Sequence, residues 1–155
     1  MNETMICAVG NVATRPVYSE SASGPSVRFR LAATPRYWDR EKNTWVDGHT
    51  SFFTVWGNRQ LAVNVAASVS VGEPVIVQGR LKVRSEVREG QTWTSADIDA
   101  VAIGHDLARG TDMFRRAGAA APEPNWETAA ASSEGTEQQQ ERAPERRPEP
   151  AAAVT

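Results

Sequence analysis

The chain has 155 residues, 40% hydrophobic and 23% charged, which suits one soluble domain with residues to spare and leaves no apolar run long enough to cross a bilayer. Its start, MNETMICAVGNV, carries an acidic residue where a secretion signal has cations, and lacks the apolar stretch and small-residue cleavage site, so a cytoplasmic protein is expected. A single cysteine, Cys7, excludes an intramolecular disulfide and a cysteine-cluster zinc site. The net charge of −2 divides unevenly, with 14 Lys or Arg against 12 Asp or Glu over residues 1–117 and 3 Arg against 7 Glu over residues 118–155.

Positions 4–12, TMICAVGNV, predict a strand apolar on both alternating faces, with Met5, Cys7 and Val9 on one and Ile6 and Ala8 on the other. Both faces are expected to be buried. Only one face of a strand looks into a small barrel, so the second calls for a subunit partner or a covering loop. After a loop expected over residues 14–25, VRFRLAAT alternates Val27, Phe29 and Leu31 inward with Arg28 and Arg30 outward. TPRYWDREKNTWVDGHT then leads into SFFTVWG as a long hairpin.

Asn58 is placed to cap a helix running to about Val71, with Leu61, Val65 and Val69 on one face and Gly72 to end it. PVIVQGRLKVRSEVREGQTWTSADIDAVAI returns to period two: Val75, Val77, Leu81, Val83 and Val87 face one way, Arg80, Lys82, Arg84 and Arg88 the other, and Glu89-Gly90 marks a turn. There is room for a further strand near residues 98–104. The order suits an all-β fold, a five-stranded OB barrel with one helix between strands 3 and 4, although other small α+β folds share it. From Gly118 onward ten Ala, seven Glu, five Pro, a QQQ run and one aromatic, Trp126, predict a disordered tail. The expected organisation is a barrel domain over 1–117 and a tail over 118–155.

Arg80, Lys82, Arg84 and Arg88 fall on one strand face, with neighbours two residues apart spaced about 6.6 Å. Phosphates along a flexible single strand can follow that spacing, and a solvated outer face relieved by Glu86 is the alternative. The hairpin packs Arg36, Tyr37, Trp38, Arg40, Lys42 and Trp45 within ten residues, too charged for both tryptophans to be fully buried. Rings among cations suit the stacking of unpaired bases, about 1–3 kcal/mol each, and duplex DNA offers no free base faces. The alternative has the rings folded onto the barrel or filling a subunit contact. Trp56 shares a face with Phe52 and Thr54, while Phe53 shares the opposite one with Val55; one of these faces is core and the other suits a stacking platform. Trp93 is either a platform or a cross-strand partner.

An enzyme is not expected. His49 and His105 lie in no ligand-spaced motif, no Gly-rich phosphate loop occurs, and Cys7 in an apolar strand is a poor nucleophile. No cofactor is implied. Asp97 and Asp99 share a face at a spacing open to a cation, with solvated or salt-bridged carboxylates as the commoner alternative.

GNVATRP, VRFRLAAT, YWDREKNTW and FFTVWGNRQLAVNVAASVSVGEPVIVQGRL follow, in order, the layout of the bacterial single-stranded-DNA-binding proteins, and RLKVRSEVREGQ resembles the actinobacterial members. The resemblance spans about residues 3–115. It implies an OB fold, a homotetramer assembled as a dimer of dimers by pairing first strands, and sequence-tolerant wrapping of single-stranded DNA in replication, recombination and repair, without catalysis or metal. By position it makes Trp38 and Trp56 stacking residues. Thr50 stands where many members have a second tryptophan and Ser85–Glu86 lacks the third, which leaves Trp45 and Trp93 to compensate. The expected DNA-binding set is Arg28, Arg30, Arg36, Trp38, Arg40, Lys42, Trp45, Trp56, Arg80, Lys82, Arg84, Arg88 and Trp93.

The family usually ends in an aspartate-rich tip closing with Pro-Phe, which recruits genome-maintenance partners, whereas this chain ends PEPAAAVT. Recruitment by that route is not expected, and a specialised paralogue is. If first strands pair antiparallel about a two-fold axis, one position faces its own copy with Cα atoms about 4.5–5.5 Å apart, within disulfide range. Cys7 is therefore a candidate inter-subunit bridge, with a reduced thiol packed in the strand as the alternative. A protein-interaction OB barrel and an RNA-binding module are the rival readings of the whole molecule.

Overall fold

The computed structural model describes residues 2–118. The predicted tail, with Trp126 and the chain end, lies outside the described residues beyond Gly118. The chain divides into units Met1–Arg115 and Arg116–Thr155, and every element below belongs to the first.

The elements are β1 (Met5–Val12), β2 (Val17–Ser21), β3 (Gly24–Ala33), β4 (Arg36–Asp39), β5 (Thr44–Asp47), β6 (Ser51–Asn58), α1 (Gln60–Ser68), β7 (Pro74–Arg88) and β8 (Gln91–His105). Six strands form one sheet in the order β1-β7-β8-β6-β3-β2, and β1 returns to β3 through Asn11↔Ala32 and Val12↔Leu31, closing it into a barrel. β4 and β5 make a separate two-stranded ribbon. The five expected barrel strands are β1, β3, β6, β7 and β8, with α1 between the third and fourth. β3 and β6 are the long hairpin and the ribbon is its tip.

Alternation builds the core. Val27, Phe29 and Leu31 of β3 meet Ala8 and Val12 of β1, Val55 of β6, Val75 and Val77 of β7 and Ile98 of β8, and α1 covers them with Ala62 and Val65. Each fully buried side chain contributes about 1.5–3 kcal/mol. Two glycines permit the closure: a Cβ on Gly10 would overlap the carbonyl of Ala32, and one on Gly79 that of Asp99, beside a register shift that leaves Val101 of β8 unopposed.

Several expectations are corrected. The loop over residues 14–25 contains β2, whose five residues are all exposed and so show no apolar period. Asn58 does not cap the helix; it ends β6 opposite Ser26, and Arg59 takes the N-cap at φ 57° without a side-chain hydrogen bond. The helix stops at Ser68, short of Val71, and Gly72, at φ 87°, donates its N–H to Val12 O instead. Val83 and Val87 continue the period of Val75, Val77 and Leu81 yet are exposed, because beyond Leu81 the two long strands leave the barrel as an arm. Glu89 and Gly90, both at positive φ, form its two-residue turn. Among the described residues no helix is long and apolar enough to cross a membrane.

Candidate nucleic-acid interface

The inward Val27, Phe29 and Leu31 force Arg28 and Arg30 outward, and the antiparallel register sets Arg28 opposite Trp56, Arg30 opposite Thr54 and Ala32 opposite Phe52. Guanidinium groups therefore lie on rings. The Arg28 guanidinium carbon is 5.4 Å from the Trp56 ring centroid, and that of Arg30 is 5.3 Å from Phe52. Phe52, exposed and on the platform face, was missing from the expected set; the period-two alternation from Trp56 is the signal that finds it.

The sheet extends these rows. β6 runs parallel to β8 with Trp56↔Asp99 and Thr54↔Asp97, and β8 is antiparallel to β7 with Asp99↔Arg80 and Asp97↔Lys82. One row thus reads Arg28, Trp56, Asp99, Arg80, and the next Arg30, Thr54, Asp97, Lys82. Two cationic lanes flank an acidic seam. The basic stripe is not free as the alternation alone suggested: Lys82 pairs with Asp99, Arg80 Nε with Glu3 at 2.9 Å, and Arg88 with Glu86 at 2.5 Å, while Arg84 has no ion pair among the described residues. Exposed pairs of this kind contribute about 0–1 kcal/mol, so a phosphate can displace the carboxylate. Asp99 belongs to this pairing and Asp97 lies opposite Lys82 in the register, and the described residues contain no cluster of three or more potential metal ligands.

The remaining candidates sit on two projections. On the arm, exposed Trp93 faces Glu86, and its neighbouring rows carry Arg84 opposite Ser95 and Arg88 opposite Gln91. On the ribbon, Trp38 and Trp45 pair edge to face, with centroids 5.8 Å apart and planes at 77°. They are 45% and 56% exposed, so neither is folded into the barrel. Arg36 Nε holds Asp47 at 3.1 Å two pairs along the ribbon. Asp39 Oδ1 accepts the N–H groups of Glu41 and Lys42, shaping the tip that presents Arg40 and Lys42. The ribbon shares no strand pairing with the barrel.

The expectation that both faces of β1 are buried fails within one chain: Met5, Cys7 and Val9 are exposed. Thr4 O accepts from Leu81 N and Val12 N donates to Glu73 O, so even-numbered residues of β1 direct their backbone groups to β7. Those of Met5, Cys7 and Val9 point to the other side, which β3 occupies only from Asn11 onward. β1 has an open edge.

His105 ends β8 between two carboxylates, Nε2 at 2.9 Å from Glu73 Oε2 and Nδ1 at 2.5 Å from Asp112 Oδ2. The bonds to Asp112 and then Glu73 raise its pKa. The Ser70 backbone N–H and then His105 lower that of Glu73, and His105 and then the Met113 N–H lower that of Asp112.

A model described as the Single-strand binding protein family matches residues 1–106. The chain belongs to that family. Its relatives include Single-stranded DNA-binding protein 1 of Streptomyces coelicolor, 66% identical over 157 residues and 97% of each chain. Single-stranded DNA-binding protein 2 of Streptomyces avermitilis is 65% identical over 161 residues, 97% of this chain and 98% of the relative. The crystal structure of the small single-stranded DNA-binding protein from Streptomyces coelicolor superposes with a TM-score of 0.66 at 75% identity, covering 71% of this chain and all of that one. This is an actinobacterial member of a non-enzymatic family, and its activity is the binding of single-stranded DNA.

Proposed function

We propose that this single-strand binding family member holds DNA on the outer face of β3 and β6, with bases stacked on Trp56 and Phe52 and phosphates on Arg28 and Arg30. The carrying observation is the register that lays each arginine over a ring. An exposed cation–π contact contributes about 0.5–1 kcal/mol and a stacked base about 1–3 kcal/mol, so a base outcompetes the guanidinium for the ring. The displaced arginine remains beside the phosphate of the same nucleotide. Arg80 and Lys82 form the second lane, the ribbon adds Arg36, Trp38, Arg40, Lys42 and Trp45, and the arm adds Arg84, Arg88 and Trp93. Stacking requires no particular base, which supports sequence-tolerant coating of single strands in replication, recombination and repair.

The assembly is a homotetramer, a dimer of dimers. The open edge of β1 supports antiparallel pairing with a second β1, and exposed Met5 and Val9 supply apolar surface to bury. Cys7 lies between them and bridges two subunits under oxidation. The test of the DNA surface is binding of oligo-dT by Trp56→Ala and Phe52→Ala: each weakens affinity about 5-fold or more. Wild-type affinity in both places the bases elsewhere.

A further inference from the structure

Beyond His105 the chain is fastened to the barrel rather than released. Asp106 N–H donates to Pro74 O at 3.0 Å, and Asp106 in turn accepts the N–H groups of Ala108 and Arg109. Arg109 Nη1 donates to Asn11 Oδ1 at 2.8 Å. Asp112 is then clasped by His105, which Glu73 holds from the other side, and Asp112 Oδ1 accepts the Met113 N–H. From this fixed point Met113 and Phe114 stand 91% and 86% exposed, followed by exposed Arg115, which makes no ion pair among the described residues.

We propose that Phe114 and Arg115 form a further contact for single-stranded DNA outside the barrel, with Phe114 as the stacking ring, Arg115 on the adjoining phosphate, and the His105–Asp112 bond as its positioning device. This rests on the DNA-binding reading above and extends the bound strand past the barrel. An exposed phenylalanine beside a cation repeats the chemistry of Phe52 with Arg30 and of Trp56 with Arg28. A second copy of the chain is the poorer occupant. Burying Phe114 in a protein contact would desolvate the adjacent Arg115 guanidinium, whereas a polynucleotide supplies a ring face and a neutralising phosphate together.

The test measures affinity of the full chain for two oligo-dT lengths, one of about 8 nucleotides that suffices for a single barrel and one several times longer. Phe114→Ala should leave the short oligonucleotide unchanged and weaken the long one about 5-fold or more. Arg115→Ala should lower the slope of log affinity against log salt on the long one by about 0.7. Trp56→Ala is the control that weakens both lengths. Wild-type behaviour of the Phe114 and arginine variants on the long oligonucleotide, with that control weakened, overturns this contact alone. A changed sedimentation coefficient for DNA-free Phe114→Ala with unaltered DNA affinity assigns the patch to a second copy and also overturns it. Failure of the wild type to bind either length overturns the parent reading and this one with it.

Discussion

Arg28 and Trp56 sit directly opposite one another on β3 and β6, and the guanidinium carbon lies 5.4 Å from the ring centroid. If a base stacks on Trp56 as proposed, the arginine must leave the ring when it arrives, and the contributions of the two residues to DNA binding are coupled. Trp56→Ala should weaken binding about 5-fold or more, and Arg28→Ala should lower the salt slope by about 0.7. A double-mutant cycle on the two should be non-additive by about 0.5 kcal/mol or more. Strict additivity means that the two residues serve separate nucleotides.

His105 makes stability depend on pH through two opposing shifts. Its pKa is raised above the ordinary 6.5, so its contribution is complete below that value and is lost as pH rises through the folded one. Glu73 and Asp112 are lowered from 4.5 and 3.8, so theirs is complete above those values and is lost as pH falls. The clasp is whole between about pH 4.5 and 6.5. His105→Gln should therefore depress Tm at pH 5.5 and do so much less at pH 9. An equal Tm difference at both pH values would show that the charge on His105 is irrelevant.

Cys7 should give a dimer band on non-reducing gels after mild oxidation, abolished by reductant and by Cys7→Ser. Its exposure on the face of β1 and the open backbone edge beside it make the thiol reachable by a second copy. Chains that stay unlinked under oxidant while still self-associating would set the register of β1 pairing away from Cys7.

Among the described residues, every buried residue of the core falls between Ala8 and Ile98. Removal of residues 118–155 should then leave Tm unchanged by differential scanning calorimetry, whereas Phe29→Ala, which empties a fully buried site, should cost about 3–5 kcal/mol. A large drop in Tm on truncation would show the removed segment packing on the barrel.

The strands of the barrel were legible because each buries one face: the alternations of Val27, Phe29 and Leu31 and of Val75 and Val77 report a core directly. β2 left no trace because nothing in it is buried. Val83 and Val87 misled for the reverse reason, since the alternation persists after the barrel beneath it has ended. Of the candidate interface, the sequence reveals which residues share a strand face and not what lies opposite. Arg28 meets Trp56 only through the β3–β6 register. Arg80 finds Glu3 across 77 positions, and His105 finds Glu73 across 32, partnerships without any local signature. The acidic seam of Asp97 and Asp99 became visible only once β8 was placed between β6 and β7.

The central claim, that phosphates lie on the cations beside the platform, is tested most directly by titrating oligo-dT against the wild type and Arg28→Ala with Arg30→Ala over a range of salt concentrations. The wild type should show log affinity falling linearly with log salt, about 0.7 for each phosphate neutralised, and the double variant a slope shallower by about 1.4. A wild-type affinity indifferent to salt, or identical slopes in the two proteins, would contradict it.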